Sequence, residues 1–410
     1  TSSLASKLTA NLPGAGTNQI LVPNWGVGVA ILDSGIDHND VYVSRRINII
    51  PRYYECDERN ANECEEWEEM KDPWGHGTHV GGIISGRGGF YDGYLGFAPK
   101  SNLTDIRVLD EAGRGIASDV IAGLDWVLSN ADTLGIRVVN MSLGKSVDDR
   151  AAYDPLVQAV EQVWDAGIVV VCSAGNYGRG GNFSITSPGN SPKVITVGSI
   201  TDSGTGDDFS DDYVSTYSSR GPTLFDHYLK PDLLAPGNRV IAPVAKDSGL
   251  WYALPDRRIL CTSGCTDAEY LELSGTSMAA AMVSSTAMLM LSGEPTLTPD
   301  DVKARLMRST RKIDGNPTDV GTGVLDIQAA LAENGYTSAA PSPKMGRSDE
   351  GPVIFVENTS LTWGSDEWAA GFLWSDGFLW SDGFMWSDGF MWSDGFMWSD
   401  GFLWSCLLYT

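Results

Sequence analysis

Three features of the sequence predict an α/β fold: a three-layer sandwich with a central, mostly parallel sheet. Short Val- and Ile-rich runs recur between residues 26 and 335. They are continuous rather than alternating, as in strands covered on both faces. Helical patterns lie between them, which implies layered strand–helix units with right-handed crossovers. The runs 27–33, 103–109, 138–143, 168–173 and 194–200 read as buried strands. The stretches 118–129, 154–165 and 276–291 read as helices, the first with Ser118 as its cap.

The pattern ends near Leu331. Residues 336–352, rich in Ser, Pro, Ala and Gly, read as a linker. Beyond it, Gly-Phe-(Leu/Met)-Trp-Ser-Asp recurs six times from Gly371 to Ser405, the last copy without its Asp. The expected organisation is therefore an N-terminal segment 1–19, a main domain 20–335, the linker, a Trp-rich tail 353–405, and a final 406–410. Those last five residues, Cys-Leu-Leu-Tyr-Thr, break the repeat and read as a translated sequencing-adapter end. The chain starts at Thr1 without Met, so a mature or cropped form is expected.

Phe and Trp lie two apart in each repeat, on one face of a strand, and Asp-Gly suits a tight turn. Three readings stay open for the tail: a small repetitive β-structure, an aromatic adhesive strip, or disorder, which the aromatic content disfavours.

A net charge of −25 on 410 residues excludes a general nucleic-acid binder and suits a solvated surface in an extracellular or saline medium. No run of eighteen apolar residues indicates a membrane span. Cys56 and Cys64 share an acidic loop, and Cys261 and Cys265 flank another; two local disulfides, Cys56–Cys64 and Cys261–Cys265, are expected in an exported protein. Cys172 lies in an apolar run and reads as a buried thiol.

Chemistry concentrates in four places. Asp33 follows the first strand, at the carboxyl end where open α/β sheets place their sites. His76 lies in Gly75-His76-Gly77-Thr78-His79, where small residues let a helix start tightly against a sheet. It is the residue chosen as the base that serine activation needs, with His79 read as packed within the helix. Ser277, in Gly275-Thr276-Ser277-Met278, opens a long apolar helix whose N-terminus favours developing negative charge. Asn176, closing Ser173-Ala174-Gly175-Asn176 after a strand, can donate to an oxyanion. Alone, each has an ordinary structural reading: turn Asp, helix His, cap Ser, turn Asn. A two-histidine metal site is weaker still, because His76 and His79 lack a third ligand of obvious spacing.

Together these residues resemble the subtilases, the subtilisin-like serine peptidases. The order Asp, His, Ser is that of the family. Gly96-Phe97-Ala98-Pro99, Arg107-Val108-Leu109-Asp110, Asn140-Met141-Ser142-Leu143-Gly144, Ser218-Ser219-Arg220-Gly221-Pro222, Lys230-Pro231-Asp232 and Gly321-Thr322-Gly323-Val324 follow in the order the family shows. The resemblance implies that Ser277 attacks a peptide carbonyl, His76 moves the proton, Asp33 orients His76, and Asn176 with the Ser277 N–H holds the oxyanion. It implies that Gly113 and Gly115 on one edge, and Ser142, Leu143 and Gly144 on the other, clamp an extended substrate as an added strand. Ala174, Gly175 and Thr186 would line the pocket for the residue before the scissile bond.

The resemblance further implies a protein or peptide substrate, a cleaved N-terminal propeptide, a secreted or cell-surface monomer, and no cofactor for catalysis. Structural calcium is implied through Asp40. The family loop that would complete that site is rewritten here as residues 86–93. An enlarged acidic loop between Asp33 and His76 has three readings: calcium ligand, cleft cover, or solvated surface. A narrow-specificity processing enzyme and a surface adhesion module with a vestigial peptidase domain are the alternatives to an exported endopeptidase.

Overall fold

Gly28–Asp33 (β1) is an interior strand of the central sheet, its run of Val29, Ala30, Ile31 and Leu32 buried on both faces. Full burial of a Val, Ile or Leu side chain such as these contributes about 1.5–3 kcal/mol. The computed structural model describes residues 27–37, 47–49, 72–86, 96–99, 101–205, 209–260, 269–347, 354–356 and 402–405.

In chain order, β1 is followed by Ile47–Ile49 (β2), His76–Ser85 (α1), Asn102–Arg107 (β3), Arg114–Ile116 (β4), Ala117–Leu134 (α2), Ile136–Met141 (β5) and Leu143–Gly144 (β6). Pro155–Asp165 (α3), Val169–Ser173 (β7), Ile195–Thr201 (β8), Tyr213–Val214 (β9), Leu233–Pro236 (β10) and Val240–Pro243 (β11) come next. Then come Gly249–Ala253 (α4), Arg258–Leu260 (β12), Glu269–Leu273 (β13), Thr276–Gly293 (α5), Pro299–Arg308 (α6), Pro317–Val320 (α7) and Ile327–Ala332 (α8). Met345–Arg347 (β14), Ile354–Val356 (β15) and Phe402–Ser405 (β16) close the described chain.

The main sheet has the order β10-β8-β7-β5-β1-β3-β2, with β9 added antiparallel on β8. Every pairing along that path is parallel. Helices α1 and α5 pack together on one side of the sheet, and α2 and α3 pack together on the other. The three-layer α/β expectation therefore holds, and the five expected strands match β1, β3, β5, β7 and β8 within two residues at each end.

Helix α2 buries Val120, Gly123, Leu124, Val127 and Ala131, a 3.6-residue stripe, and ends on left-handed Gly135. Its cap corrects one expectation. The helix begins two residues before Ser118 would cap it, and Ile116 is the N-cap with no side-chain bond. Asp119 in the first turn offsets the missing cap by facing the helix dipole. Helix α3 is capped as its sequence suggests: the Asp154 carboxylate accepts from the Leu156 N–H, and Pro155 takes the first turn.

Helix α5 is buried around its whole circumference from Thr276 to Leu291. By length and composition it could cross a membrane, but it lies in the protein core against β5, β7, β8 and β10. Cys172 on β7 is a buried thiol, as expected. Residues Asp40, Cys56, Cys64, Cys261 and Cys265, and with them both expected disulfides, lie outside the described residues.

The segment expected as a linker is tied to the main domain over much of its described part. The Thr337 and Ala340 N–H groups donate to Asp301 and Asp300. Ser342 is buried, its N–H donating to the Pro192 carbonyl and its hydroxyl to Asp232 Oδ1 at 2.6 Å. Asp232 is the centre of a buried ionic knot. Its Oδ2 accepts from Lys230 Nζ at 2.7 Å and from the Thr196 N–H at 2.7 Å, and Lys303 Nζ stands 3.4 Å from Oδ1. Burial raises the Asp232 carboxyl, but the two ammonium groups outweigh it and hold the group below the usual carboxylate range. A Ser- and Pro-rich composition carries no sign of such anchoring, because the bonds come from residues far away in the chain.

Candidate active site

Asp33 ends β1 with its side chain fully buried. Its Oδ1 accepts the Ser34 N–H at 2.8 Å and meets His76 Nδ1 at 2.7 Å. A carboxylate oxygen accepts, so the imidazole proton sits on Nδ1 and the Nε2 lone pair faces away from Asp33. His76 Nε2 is buried without a partner among the described residues.

The contact between acid and base depends on how tightly α1 starts. Gly75, the N-cap, has φ of 95°, a conformation that side chains resist. A Cβ on Gly77 would lie 2.1 Å from the Gly35 carbonyl oxygen and 3.1 Å from Asp33 Cβ. Only glycine lets the helix reach the loop that carries the acid.

Asp72, which the sequence reading did not single out, fastens this junction. Its Oδ1 accepts from the Gly75 N–H and the Ser34 hydroxyl, both at 2.7 Å, and its Oδ2 accepts from the Thr78 N–H at 2.8 Å. Ser34 Oγ in turn accepts the Gly77 N–H at 3.0 Å. Burial raises the Asp72 carboxyl above its ordinary value against these donors, which pull it down. Asp105 lies behind the same loop, with Oδ2 accepting the Ile36 N–H at 2.9 Å, and burial pushes it up to about 8. The signal that could have found Asp72 is an acidic residue just before the N-cap Gly75, within reach of the free N–H groups at the helix start.

His79 is packed inside α1, as expected. Its Nε2 lies 3.0 Å from the Leu271 carbonyl oxygen, and burial lowers its pKa from 6.5 to about 3 despite that bond. It is therefore neutral in the native protein at neutral pH. Between pH 6.5 and 3 the unfolded chain binds the extra proton, so this group's contribution is present above pH 6.5 and is lost as the pH falls. The stability advantage of the wild type over His79→Asn should shrink by about 1.4 kcal/mol for each pH unit below 6.5. Urea unfolding of both proteins across this range checks it, and parallel profiles would refute it.

Ser277 is the second residue of α5, after Thr276. Its Oγ donates to the Ser142 carbonyl at 3.2 Å, while Ser142 Oγ donates to the Ser277 carbonyl at 3.1 Å. Asn140 Nδ2 donates to Ser142 Oγ, and Ser284 Oγ donates to Asn140 Oδ1. These bonds hold the start of α5 to the carboxyl end of β5. Met278 beside the serine is fully buried.

Asn176 follows β7 and turns back to α5. Its Oδ1 accepts from the Thr276 N–H and the Thr276 hydroxyl, both at 3.1 Å. An N–H donor requires oxygen at that position, which fixes the amide orientation. Asn176 Nδ2 is then a buried donor with no partner among the described residues. A fixed, unoccupied amide donor beside a helix N-terminus suits an anionic oxygen.

Thr186, buried after its loop, donates N–H and hydroxyl to the Ala174 carbonyl at 3.1 and 3.3 Å. A Cβ on Gly144 would lie 2.6 Å from Thr186 Oγ1, and one on Gly175 would lie 2.7 Å from Thr186 Cγ2. Ala174, Gly175 and Thr186 thus adjoin, and Gly144 packs against the same threonine. Gly115 lies in β4 with Gly113 just before the strand, and Leu143 and Gly144 form β6. His227 has φ of 59° and an edge contact with Phe183.

Comparison with known proteins decides the class. The subtilase family model matches residues 24–329. The chain belongs to the subtilase family. It is similar to serine protease AprX of Bacillus subtilis (strain 168), 38% identical over 313 residues, covering 75% of this chain and 66% of that protein. Subtilisin E of the same organism is 32% identical over 307 residues, covering 74% of this chain and 65% of that protein. Alkaline serine exoprotease A of Vibrio alginolyticus is 30% identical over 335 residues, 81% of this chain and 51% of that protein. The chain spans about two thirds or less of these relatives. The subtilase match covers the main sheet and its helices and ends well before the repeats.

Proposed function

We propose that this subtilase hydrolyses internal peptide bonds, with Ser277 as nucleophile, His76 as base and Asp33 as the group that orients His76. The observation that carries the reading is the 2.7 Å bond between Asp33 Oδ1 and His76 Nδ1, both side chains excluded from water. It leaves Nε2 as the proton acceptor. The reading requires the Ser277 hydroxyl to leave the Ser142 carbonyl and donate to that nitrogen when substrate is bound.

Ser277 Oγ forms the bond to the substrate carbonyl carbon as its proton passes to His76 Nε2. The carbonyl electron pair moves to oxygen, where Asn176 Nδ2 and the Ser277 N–H donate to it. Collapse breaks the C–N bond, and Nε2 returns the proton to the leaving amine. Water repeats the sequence on the acyl-enzyme. Every step uses groups of this chain.

Gly113 and Gly115 on one side, and Ser142, Leu143 and Gly144 on the other, are proposed to bind the substrate backbone. Ala174, Gly175 and Thr186 are proposed to bound the pocket for the residue before the scissile bond. Thr186→Gly should then raise kcat/KM for large aromatic residues over Ala at that substrate position by roughly tenfold. A matched series of tetrapeptide anilides checks this, and an unchanged ratio would refute it.

The proposed peptidase unit takes in the anchored segment through residue 345, because Ser342 belongs to the Asp232 knot. Action outside the cell, removal of an N-terminal propeptide and a monomeric state complete the proposal; the family and the acidic surface support them. Structural calcium is part of it too. Its expected ligand Asp40 lies outside the described residues, and among the described residues no group of three or more His, Cys, Asp or Glu is placed to hold a metal ion. A fluorophosphonate probe tests the central claim. Labelling confined to Ser277, and abolished by Ser277→Ala, is expected; folded protein that stays unlabelled would refute it.

A further inference from the structure

The last repeat copy sits between the two edges to which the proposed function assigns the substrate. Strand β16 lies in the middle of a three-stranded sheet of order β4-β16-β6, antiparallel to both neighbours. Phe402, Leu403 and Trp404 face Ile116, Gly115 and Arg114, and Trp404 and Ser405 face Gly144 and Leu143. The strand runs toward the nucleophile, because Leu143 adjoins Ser142, whose carbonyl accepts the Ser277 hydroxyl. A strand edge pairs with one chain at a time, so β16 and an extended substrate exclude each other.

The occupant is also a repeated one. Gly-Phe-(Leu/Met)-Trp-Ser stands six times in the tail, so six near-identical segments are available to one cleft. We propose that the hexapeptide repeats are the enzyme's own tethered cleft ligand, added as a strand between β4 and β6 in competition with substrate. The inference rests on the reading that this cleft binds substrate.

A tethered segment acts at an effective concentration on the order of a millimolar. With a free-peptide Kd of ~0.1 mM, self-occupation raises the apparent KM about tenfold and leaves kcat unchanged.

The test keeps the full chain and replaces the central residue of every copy by Pro, at Leu373, Leu379, Met385, Met391, Met397 and Leu403. Proline has no N–H to donate to a strand partner. For a tetrapeptide anilide, the proline variant should show a KM about tenfold lower at equal kcat, independent of enzyme concentration. A synthetic Gly-Phe-Leu-Trp-Ser-Asp peptide should inhibit that variant competitively. Equal KM in the two proteins, or repeats found cut by mass spectrometry, would overturn the inference while leaving the peptidase reading intact.

Binding gives a readout that needs no activity. In a Ser277→Ala background, a fluorophore-labelled copy of the peptide should bind the proline variant more tightly than the chain with intact repeats. Equal affinities overturn the inference even if the peptidase reading itself fails.

Discussion

Ser277→Ala is expected to lower kcat for a tetrapeptide anilide by roughly 10⁶-fold, the size measured for a subtilisin nucleophile. His76→Ala should lose about as much, and the pair together little more, because neither acts without the other. Asp33→Ala should cost less, on the order of 10⁴-fold, since His76 retains its base while losing its orientation and the charge that favours its imidazolium form. Asn176→Leu should cost roughly 10²–10³-fold, again a subtilisin magnitude, and mostly in kcat because its amide nitrogen meets charge that develops during the reaction. Stability separates these losses from misfolding. Ser277→Ala gives up the hydrogen bonding of its hydroxyl, the bond to Ser142 included, at about 0.5–1.5 kcal/mol for each bond, so it should remain folded and unfold cooperatively. A full-length, folded Ser277→Ala protein that still turns over substrate would remove Ser277 from its role.

The largest effect on stability is expected far from the chemistry. Asp232→Ala leaves the Lys230 and Lys303 amines buried without their carboxylate, where burial already holds Lys303 down at about 7. Removing one member of a buried ion pair costs about 3–5 kcal/mol, because the remaining charge has no solvent to return to. The three side chains are fully or almost fully excluded from water, so screening offers no relief. Asp232 also holds the Thr196 N–H and the Ser342 hydroxyl, so the 189–194 loop and the anchored 337–345 segment should loosen with it. Denaturant unfolding gives the loss, and hydrogen exchange at residues 337–345 gives its location. Lys303→Met on its own should cost less, since Lys230 still neutralises Asp232. A loss below about 1 kcal/mol for Asp232→Ala would show that the knot relaxes.

The parts of the fold that were legible are those written locally. The Val- and Ile-rich runs of β1, β5 and β7 have no polar face, which leaves little choice but a covered parallel sheet. The glycine-flanked histidine and the small-residue run around Ser277 mark backbone that must approach other backbone closely. What stayed hidden was polar and buried. Asp72, Asp105, Lys230 and Lys303 look like surface residues by type, and only tertiary partners make their burial tolerable. The start of α2 misled for a related reason. A serine near a helix start suggests a cap, yet Ile116 belongs to the β4 edge, and the chain passes straight from strand to helix. The 336–352 stretch reads as loose because composition records propensity and not partners.

The position of α5 also bears on how the protein comes to be active. The helix carries Ser277, yet it is held by Ser142, 135 residues earlier, and through Thr276 by Asn176, 100 residues earlier. Asp33 and His76, by contrast, are only 43 residues apart. Closing such long loops is slow, so folding of this topology is dominated by distant contacts. The acid–base pair can assemble within the N-terminal part of the sheet, while the nucleophile arrives only when the most buried helix is seated. Proteolytic competence should therefore be the last property to return on refolding, after secondary structure, so that partly folded chains are present before any of them can cut another.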